Sequence, residues 1–321
     1  MSWRYLARRL AQVVPAVFAI IVITFAIIHL APGDPVTAVA SGNGDQEYFD
    51  FMREKFGLDR PLPAQFGTYF SNVIRGDLGN SFAQGQRVST LIRERVPTTL
   101  LLLGTSLVIS SIGGLALALA AARRPLGMVD LGVSTASLVG YALPTFWLAQ
   151  LALLTIAFRT GWFPIQGMTD ARADHTGLAH YLDIAHHLVL PALVLAVSEV
   201  ALVARVARTG LIQEQASGYV RTAKSKGLSP TNALMRHALP NAMLPVVTVI
   251  GGRIGSFFSG AVLVETVFGW PGLGRLLLDA ANTRDHPVLL GVVLVVAFSV
   301  LLANLLTDLV YAWIDPRIRY R

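Results

Sequence analysis

Several stretches of this chain are apolar and uncharged for long enough to cross a lipid bilayer, and that property excludes most other folds. A bilayer core about 30 Å thick needs roughly 20 apolar residues of α-helix. Inside lipid a single segment must satisfy its own backbone N–H and C=O groups, which a helix does. The stretches are residues 10–31, 98–122, 131–158, 187–204, 242–264 and 288–310; the fourth holds Glu199, the fifth Arg253 and the sixth, near its end, Asp308. An all-α integral membrane protein with six transmembrane helices is therefore expected. The composition agrees, with 54% hydrophobic and only 14% charged residues. The first stretch follows Arg4, Arg8 and Arg9, a layout shared with signal peptides. Its apolar run continues to Ala31 with no early small-residue cleavage pattern, so it reads as an uncleaved span. With no cysteine in the chain, disulfides and cysteine-ligated metals are excluded.

The segments between the spans are punctuated. Pro32-Gly33-Asp34-Pro35 stops the first span. Residues 32–95 then hold the largest group of acids, Asp34, Asp45, Glu47, Asp50, Glu54, Asp59, Asp77 and Glu94. Tyr48–Phe56 and Gln65–Ile74 have amphipathic spacing, the second with Phe66, Tyr69, Phe70 and Val73 on one stripe. A small structured lobe is expected there. Pro144 falls inside the third span, as an ordinary kink or as a gating hinge. Ser106, Ser110 and Gly114, and again Gly251, Gly255 and Ser259, recur at four-residue spacing. Small residues so placed let helices approach closely in lipid.

Charge sets the expected orientation. Arg4, Arg8 and Arg9, Arg123 and Arg124, Arg205 to Arg236, and Arg317 to Arg321 lie in alternate segments holding few acids (Asp130, Glu214, Asp315). By the positive-inside rule these segments and both termini are cytoplasmic, and the acidic lobe is outside. The net charge of +7 then reports topology rather than nucleic-acid binding.

One basic island, Tyr219 to Asn241, carries unusually clear corner signals. Gly227 breaks a first helix, Ser229 offers an N-cap oxygen and Pro230 suits the first turn of a second helix. That second helix is expected to run from about Pro230 to Ala238 and to end at Leu239-Pro240, because the residue before proline avoids helical backbone. The result is a stiff elbow at a membrane face.

Catalytic patterns are missing. A P-loop needs Gly-Lys followed by Ser or Thr, and Lys55, Lys224 and Lys226 follow Glu54, Ala223 and Ser225. Any ATP chemistry must come from a partner. His175, His180, His186 and His187 gather near Asp170, Asp174 and Asp183 without the spacing of a metal motif, so a solvated loop is expected and no metal site. Glu199 and Arg253 lie at membrane depth, where charges are costly and face an interior or a cavity. They read either as a structural pair or as a polar patch on a path.

From Tyr219 to Ala238, Tyr-Val-Arg-Thr-Ala…Lys-Gly-Leu…Arg-His-Ala resembles the peptide branch of ABC importer permeases. The signature is Ala223, three residues, Gly227, nine residues, position 237, one residue, then Leu239-Pro240. It departs from the general form in Arg221-Thr222 for Glu-Ala and in His237 for an aliphatic residue, both usual in that branch, and in having Pro240 rather than a basic residue before Asn241. The likeness extends over nearly the whole chain. It includes Ala31-Pro-Gly-Asp-Pro35, Leu58-Asp-Arg-Pro-Leu62, Gly76-Asp-Leu-Gly79 with Ser81, and Val262 to Gly274.

The resemblance implies a type I ABC importer permease of the dipeptide, oligopeptide and nickel group. It implies a first helix plus extracytoplasmic lobe (1–96), a transmembrane domain (97–310) with a cytoplasmic coupling region (207–241), and a cytoplasmic tail (311–321). A second homologous permease, two ATPases binding ATP and magnesium, and an extracytoplasmic solute-binding protein are the implied partners in the lipid bilayer of the inner membrane. No cofactor belongs to this chain itself. ATPase coupling falls on Ala223, Gly227, Leu228, Ser229, Pro230, Ala233, Leu234, Arg236, His237, Leu239 and Pro240. The outer gate falls on Glu265, Phe268, Trp270 and Pro271, with Trp270 suited to a membrane interface, and the polar-patch alternative adds Glu199 to the path, touching peptide termini. Nickel or another small solute is the alternative cargo. An ion-coupled secondary transporter is the alternative class, against which stands the lack of repeated halves.

Overall fold

The computed structural model describes residues 3–30, 60–173 and 175–314. The expected helix at 48–56, the stop at 31–35, Leu58-Asp59, Asp174 and the tail from Asp315 lie outside the described residues. Among the described residues the regular elements are helices, with one isolated bridge between Asn80 and Arg87. They are α1 (Trp3–Leu30), α2 (Leu62–Ile74), α3 (Val88–Ala122), α4 (Met128–Ala142), α5 (Thr145–Ala152), α6 (Leu178–Gln215), α7 (Gly218–Ser225), α8 (Pro230–Ala233), α9 (Leu239–Gly252), α10 (Ile254–Val267), α11 (Leu273–Asn282) and α12 (His286–Ile314). A π-helical segment, Leu153–Phe158, extends α5, and a second, Leu234–Ala238, joins α8 to α9.

Among the described residues, α3, α6, α12 and the continuous stretch Pro230–Gly252 are long and apolar enough to cross a membrane. The pair Met128–Ala142 and Thr145–Phe158 makes a fifth span if counted as one, and α1 contributes the shorter apolar stretch Ala11–Ile27.

Two prolines depart from expectation in opposite directions. Pro144 does more than kink its span: the two halves meet at 99°. Leu143 (φ −74°, ψ 129°) and Pro144 (φ −63°, ψ 130°) are both extended, the conformation that a residue preceding proline favours. Leu239-Pro240, expected to end a helix, does not. Leu239 stays helical (φ −57°, ψ −48°) and the chain runs on through α9. The π turn just before it gives the reason. A proline ring normally strikes the carbonyl four residues back and removes a ladder bond. An inserted residue widens the turn and shifts the register where that bond would lie. The span expected at 242–264 accordingly belongs to a continuous helical stretch that begins at Pro230. It is interrupted at Arg253, whose backbone (φ −103°, ψ 1°) separates α9 from α10.

The chain forms two compact units. One comprises residues 2–98 with 272–301. Here the stripe of α2 lies on α1 itself: Phe66 and Phe70 meet Phe18 edge-on at 6.3 and 5.8 Å, and Phe66 and Tyr69 meet Phe25 at 5.3 and 5.7 Å. Such pairs add about 0.5–1.5 kcal/mol each beyond area burial. Val88, Leu91 and Ile92 pack with Leu273, Leu276, Ala280, Val288 and Val292. Buried Asp285, just before α12, accepts from the Ser81 hydroxyl and from the N–H groups of Phe82 and Ala83, each at 3.2 Å. That carboxylate fixes the loop opened by Gly76-Asp-Leu-Gly79.

The other unit comprises residues 99–271 with 302–321. α6 is its central post, packed by α4, α5, α9 and α10. The small residues are used for approach. A Cβ on Gly114 of α3 would lie 2.7 Å from Val203 side-chain carbons and 3.0 Å from the Val200 carbonyl of α6. One on Gly210 would lie 3.3 Å from the Ala242 carbonyl, and one on Gly251 would overlap Thr307 of α12. Helix packing thus accounts for Gly114 and Gly251 in the two small-residue stripes.

Gly114→Ala is therefore expected to destabilise by about 1–3 kcal/mol through overpacking. Gly113→Ala, whose Cβ would meet Val200 at an ordinary 3.6 Å, should be neutral. Thermal unfolding of the two variants in one detergent checks this, and equal melting temperatures would count against the α3–α6 contact.

Candidate functional site

The elbow is built from backbone hydrogen bonds before any side chain acts. α7 ends at Ser225, and Gly227 follows with φ +92°, a conformation that costs a non-glycine residue about 1–2 kcal/mol. The Gly227 N–H donates to the Lys224 carbonyl (3.0 Å) and the Leu228 N–H to the Ala223 carbonyl (3.3 Å). These two bonds form a complete Schellman cap. One residue later the chain restarts. The Ser229 side chain accepts from the Asn232 N–H at 3.3 Å, its carbonyl accepts from Ala233 at 2.9 Å, and Pro230 opens α8. Glycine corner, serine cap and proline start stand where the sequence puts them.

Side chains then divide the elbow into two faces. Ala223, Ala233, Leu234 and Ala238 are buried, and with Val220 they join Ala118, Ala122, Val203, Ala207, Leu211, Ala242 and Val246 in one cluster. Leu228 and Leu239 pack partly against it. Lys226, Ser229, Pro230, Met235, Arg236 and Pro240 are exposed, and His237 is half-buried. The residues expected to couple therefore split. Ala223, Ala233 and Leu234 hold the elbow onto α3, α6 and α9, whereas Ser229, Pro230 and Arg236 are presented outward. Thr231, Asn232 and Met235 are also exposed. Sequence reasoning left these three out, because helical spacing alone does not say which face is covered.

A polar latch secures the elbow. The Tyr219 hydroxyl donates to the Glu214 carboxylate and accepts from the Asn241 amide at 2.7 Å. Partial burial pushes that hydroxyl above the usual tyrosine range, and Glu214 adds to the shift, so it remains a donor at neutral pH. Asn241 thus has a part that the signature does not reveal. Nearby, Arg208 binds Asp130 through two nitrogens, Nη2 at 2.7 Å, and Asp130 also accepts from the Leu126 N–H at 2.8 Å. Asp130 is buried. Gln215 donates to the Ala122 carbonyl at 2.9 Å. The signal for Asp130 and Glu214 was their rarity: they are two of the few acids in the basic segments.

At the far end of α10 the same capping recurs. The Gly269 N–H donates to Thr266 (3.3 Å) and the Trp270 N–H to Glu265 (2.8 Å), with Gly269 at φ +61°. Glu265, Phe268 and Trp270 are almost wholly buried, Pro271 half-buried. Thr99 donates to Glu265 at 2.7 Å. Trp270 is not an interfacial anchor in this chain. The cap folds it back into the cluster of Leu102, Ala149, Phe257, Val264 and Phe268. The Phe268 carbonyl receives the Gly167 N–H at 2.9 Å, pinning the loop before α6.

Of the histidine cluster, His186, His187, Asp170 and Asp183 bind one another or the backbone. His186 contacts the Trp162 carbonyl at 2.8 Å, His187 the Asp183 carboxylate at 3.1 Å, and Asp183 accepts from the Asp170 N–H at 2.8 Å. Among the described residues no three metal-ligating side chains come together.

Tyr219→Phe should cost about 1 kcal/mol, one net hydrogen bond, and leave the elbow folded. Hydrogen exchange at residues 234–241 should quicken while that of α6 does not. Unchanged exchange there would show that the latch contributes nothing.

The comparisons bear on the whole chain. Residues 114–320 match the family described as binding-protein-dependent transport system inner membrane component, and residues 2–103 match its N-terminal counterpart. The chain is 36% identical to the oligopeptide transport system permease protein AppB of Bacillus subtilis (strain 168), covering 98% of this chain and 99% of that one. It is 36% identical to the di/tripeptide transport system permease protein DppB of Pseudomonas aeruginosa (strain UCBPP-PA14), over 99% of each. It is also 36% identical to the glutathione transport system permease protein GsiC of Escherichia coli (strain K12), over 99% of each. A solved structure titled as an amino acid ABC transporter with histidines shares the fold, with a TM-score of 0.50 at 17% identity over 71% of this chain and 94% of that one. Matched along both its parts, and along the full length of such relatives, this multi-pass membrane protein belongs to the binding-protein-dependent transport system inner membrane component family.

Proposed function

We propose that this chain is a permease subunit of an ATP-driven importer of di- and oligopeptides, and that the elbow of α7, α8 and the π turn is where a separate ATPase pushes. The observation that carries the reading is the division of the elbow into a buried face fastened to three spanning helices and an exposed face of Ser229, Pro230, Met235 and Arg236. A short rigid element presented in this way suits a groove on another protein. Relatives named as oligopeptide, di/tripeptide and glutathione permeases supply the cargo class.

In this reading the chain spans the membrane six times, with both termini and the elbow cytoplasmic and the acidic segment after α1 outside. A second homologous permease completes the path, two ATPases bind ATP and magnesium, and an outer binding protein delivers the peptide. The chain itself holds no cofactor. Glu265, Phe268, Trp270 and Pro271 form the outer end of the path, where buried Glu265 and Trp270 act by fixing the corner rather than by meeting solvent. Glu199 lies farther in.

The test is uptake by the complete transporter in liposomes. Gly227→Val puts a β-branched side chain at φ +92°, where it is strained. It should insert and assemble yet lose uptake by at least about tenfold, equivalent to roughly 1.4 kcal/mol, with ATP hydrolysis no longer stimulated by loaded binding protein. Pro240→Ala should be mild, because the helix already runs through that residue. Full coupled uptake by Gly227→Val, or uptake without any ATPase subunit, would overturn the coupling assignment.

A further inference from the structure

Within the unit of residues 99–271, two helix breaks and one ion pair meet at a single cavity. The cavity, about 350 Å³, is lined by Pro144, Thr145, Ser198, Glu199, Arg253 and Ser259 among others. Pro144 is the 99° break between α4 and α5, and Arg253 is the break between α9 and α10. Glu199 stands on the unbroken α6 between them. Arg253 reaches Glu199 Oε1 through both Nε and Nη2, each at 3.1 Å. Irregular backbone inside a spanning chain is tolerated only where protein buries it or a wet cavity receives it. Ser198, Glu199, Arg253 and Ser259 give the cavity on which both breaks open a polar side.

We propose that the Glu199–Arg253 pair recognises the charged ends of a zwitterionic peptide, Glu199 taking the α-ammonium and Arg253 the α-carboxylate. This rests on the peptide-import reading above. In the empty protein the pair neutralises itself, which is what charges at membrane depth require. A zwitterion exchanges that one pair for two and brings no net charge with it. A peptide blocked at one end offers a charged partner to only one member of the pair. Arg253 also has a second support, since its guanidinium lies 5.8 Å from the Tyr141 ring centre. The pair can thus part without leaving the arginine unsupported. The cavity stands at the lower end of the usual ligand-site range of about 300–1,000 Å³. An extended dipeptide spans about 7 Å, so the site suits peptides of two or three residues.

The experiment compares uptake of Ala-Ala, N-acetyl-Ala-Ala and Ala-Ala-amide by the complete transporter in liposomes. Each protein is scored by its own ratio of free to blocked peptide, so a lower yield of active variant cancels. The wild type should favour Ala-Ala over both blocked forms. Glu199→Gln should lose about tenfold or more of the preference against the N-acetylated peptide only, and Arg253→Gln the same against the amide only. The double variant Glu199→Gln/Arg253→Gln, which leaves no uncompensated charge to unfold it, should lose both preferences. A pair with a purely structural role would leave every ratio at its wild-type value, since the binding protein would then make the whole choice. That result refutes this site while leaving the peptide reading standing. Wild-type liposomes that take up no dipeptide at all would refute both.

Discussion

The constraint behind this architecture is that a helix must close its own last carbonyls where it ends. Among the described residues the same pair of bonds solves that problem at four corners. At Gly76 and Asp77, Gly227 and Leu228, Gly269 and Trp270, and Arg284 and Asp285, successive N–H groups return to carbonyls three and five residues back. Each closure also aims the next residue. After α2 it opens the loop that delivers Ser81 to Asp285. After α7 it sets Ser229 to cap α8. After α10 it turns Trp270 into the core, and after α11 it buries Asp285 where Ser81, Phe82 and Ala83 can use it. The corners that define both the elbow and the end of α10 are thus products of backbone chemistry, with side chains fitted afterwards.

Buried charge is the second organising device, and it is used sparingly. The segments carrying most of the arginines hold few acids, and Asp130 and Glu214 are both committed. Asp130 closes a turn through the Leu126 N–H and grips Arg208 on α6; Glu214 holds the Tyr219 hydroxyl. A carboxylate accepting several hydrogen bonds, one from a guanidinium, is far better placed than an isolated buried charge. These contacts attach the basic face to α6 instead of leaving it as a fringe of solvated side chains. Glu199 with Arg253 applies the same device deeper in the chain.

How much of this was legible depended on whether the information was local. Gly227, Ser229 and Pro230 could be read in order, because a left-handed corner, an N-cap oxygen and a fixed φ are properties of single residues. The prolines at 144 and 240 could not, because identical local chemistry had opposite outcomes. At Pro144 the chain takes the extended conformation and turns by 99°. At Pro240 a π turn absorbs the missing donor and the helix continues. Whether a π turn forms depends on how Leu234 and Ala238 seat in the cluster with Leu211 and Val246, which is tertiary information. Trp270 failed for a similar reason. An indole suits an interface on average, but here a cap three residues long decides its direction. The division of the elbow into held and presented residues was likewise invisible, since Ala233 and Met235 differ in burial through packing partners distant in sequence.

The two sites are joined by the same two helices, and this gives the proposed push somewhere to go. Ala207 and Leu211 of α6 and Ala242 and Val246 of α9 lie in the elbow cluster. Farther along, α6 carries Glu199 and α9 ends at Arg253. Eight residues of continuous helix separate Ala207 from Glu199, about 12 Å at 1.5 Å per residue. α6 and α9 approach closely at Gly210, where a Cβ would meet Ala242 within 3.4 Å. Close-packed interiors pass displacement on rather than absorbing it. In the proposed reading, moving the elbow would shift α9 along α6, and the groups to feel the shear at the other end would be the two members of the ion pair. Opening that pair is costly unless new partners arrive, so a bound zwitterion would lower the work the motor must do. Substrate and motor would then bias one element from opposite ends, which is the physical content of coupling between them.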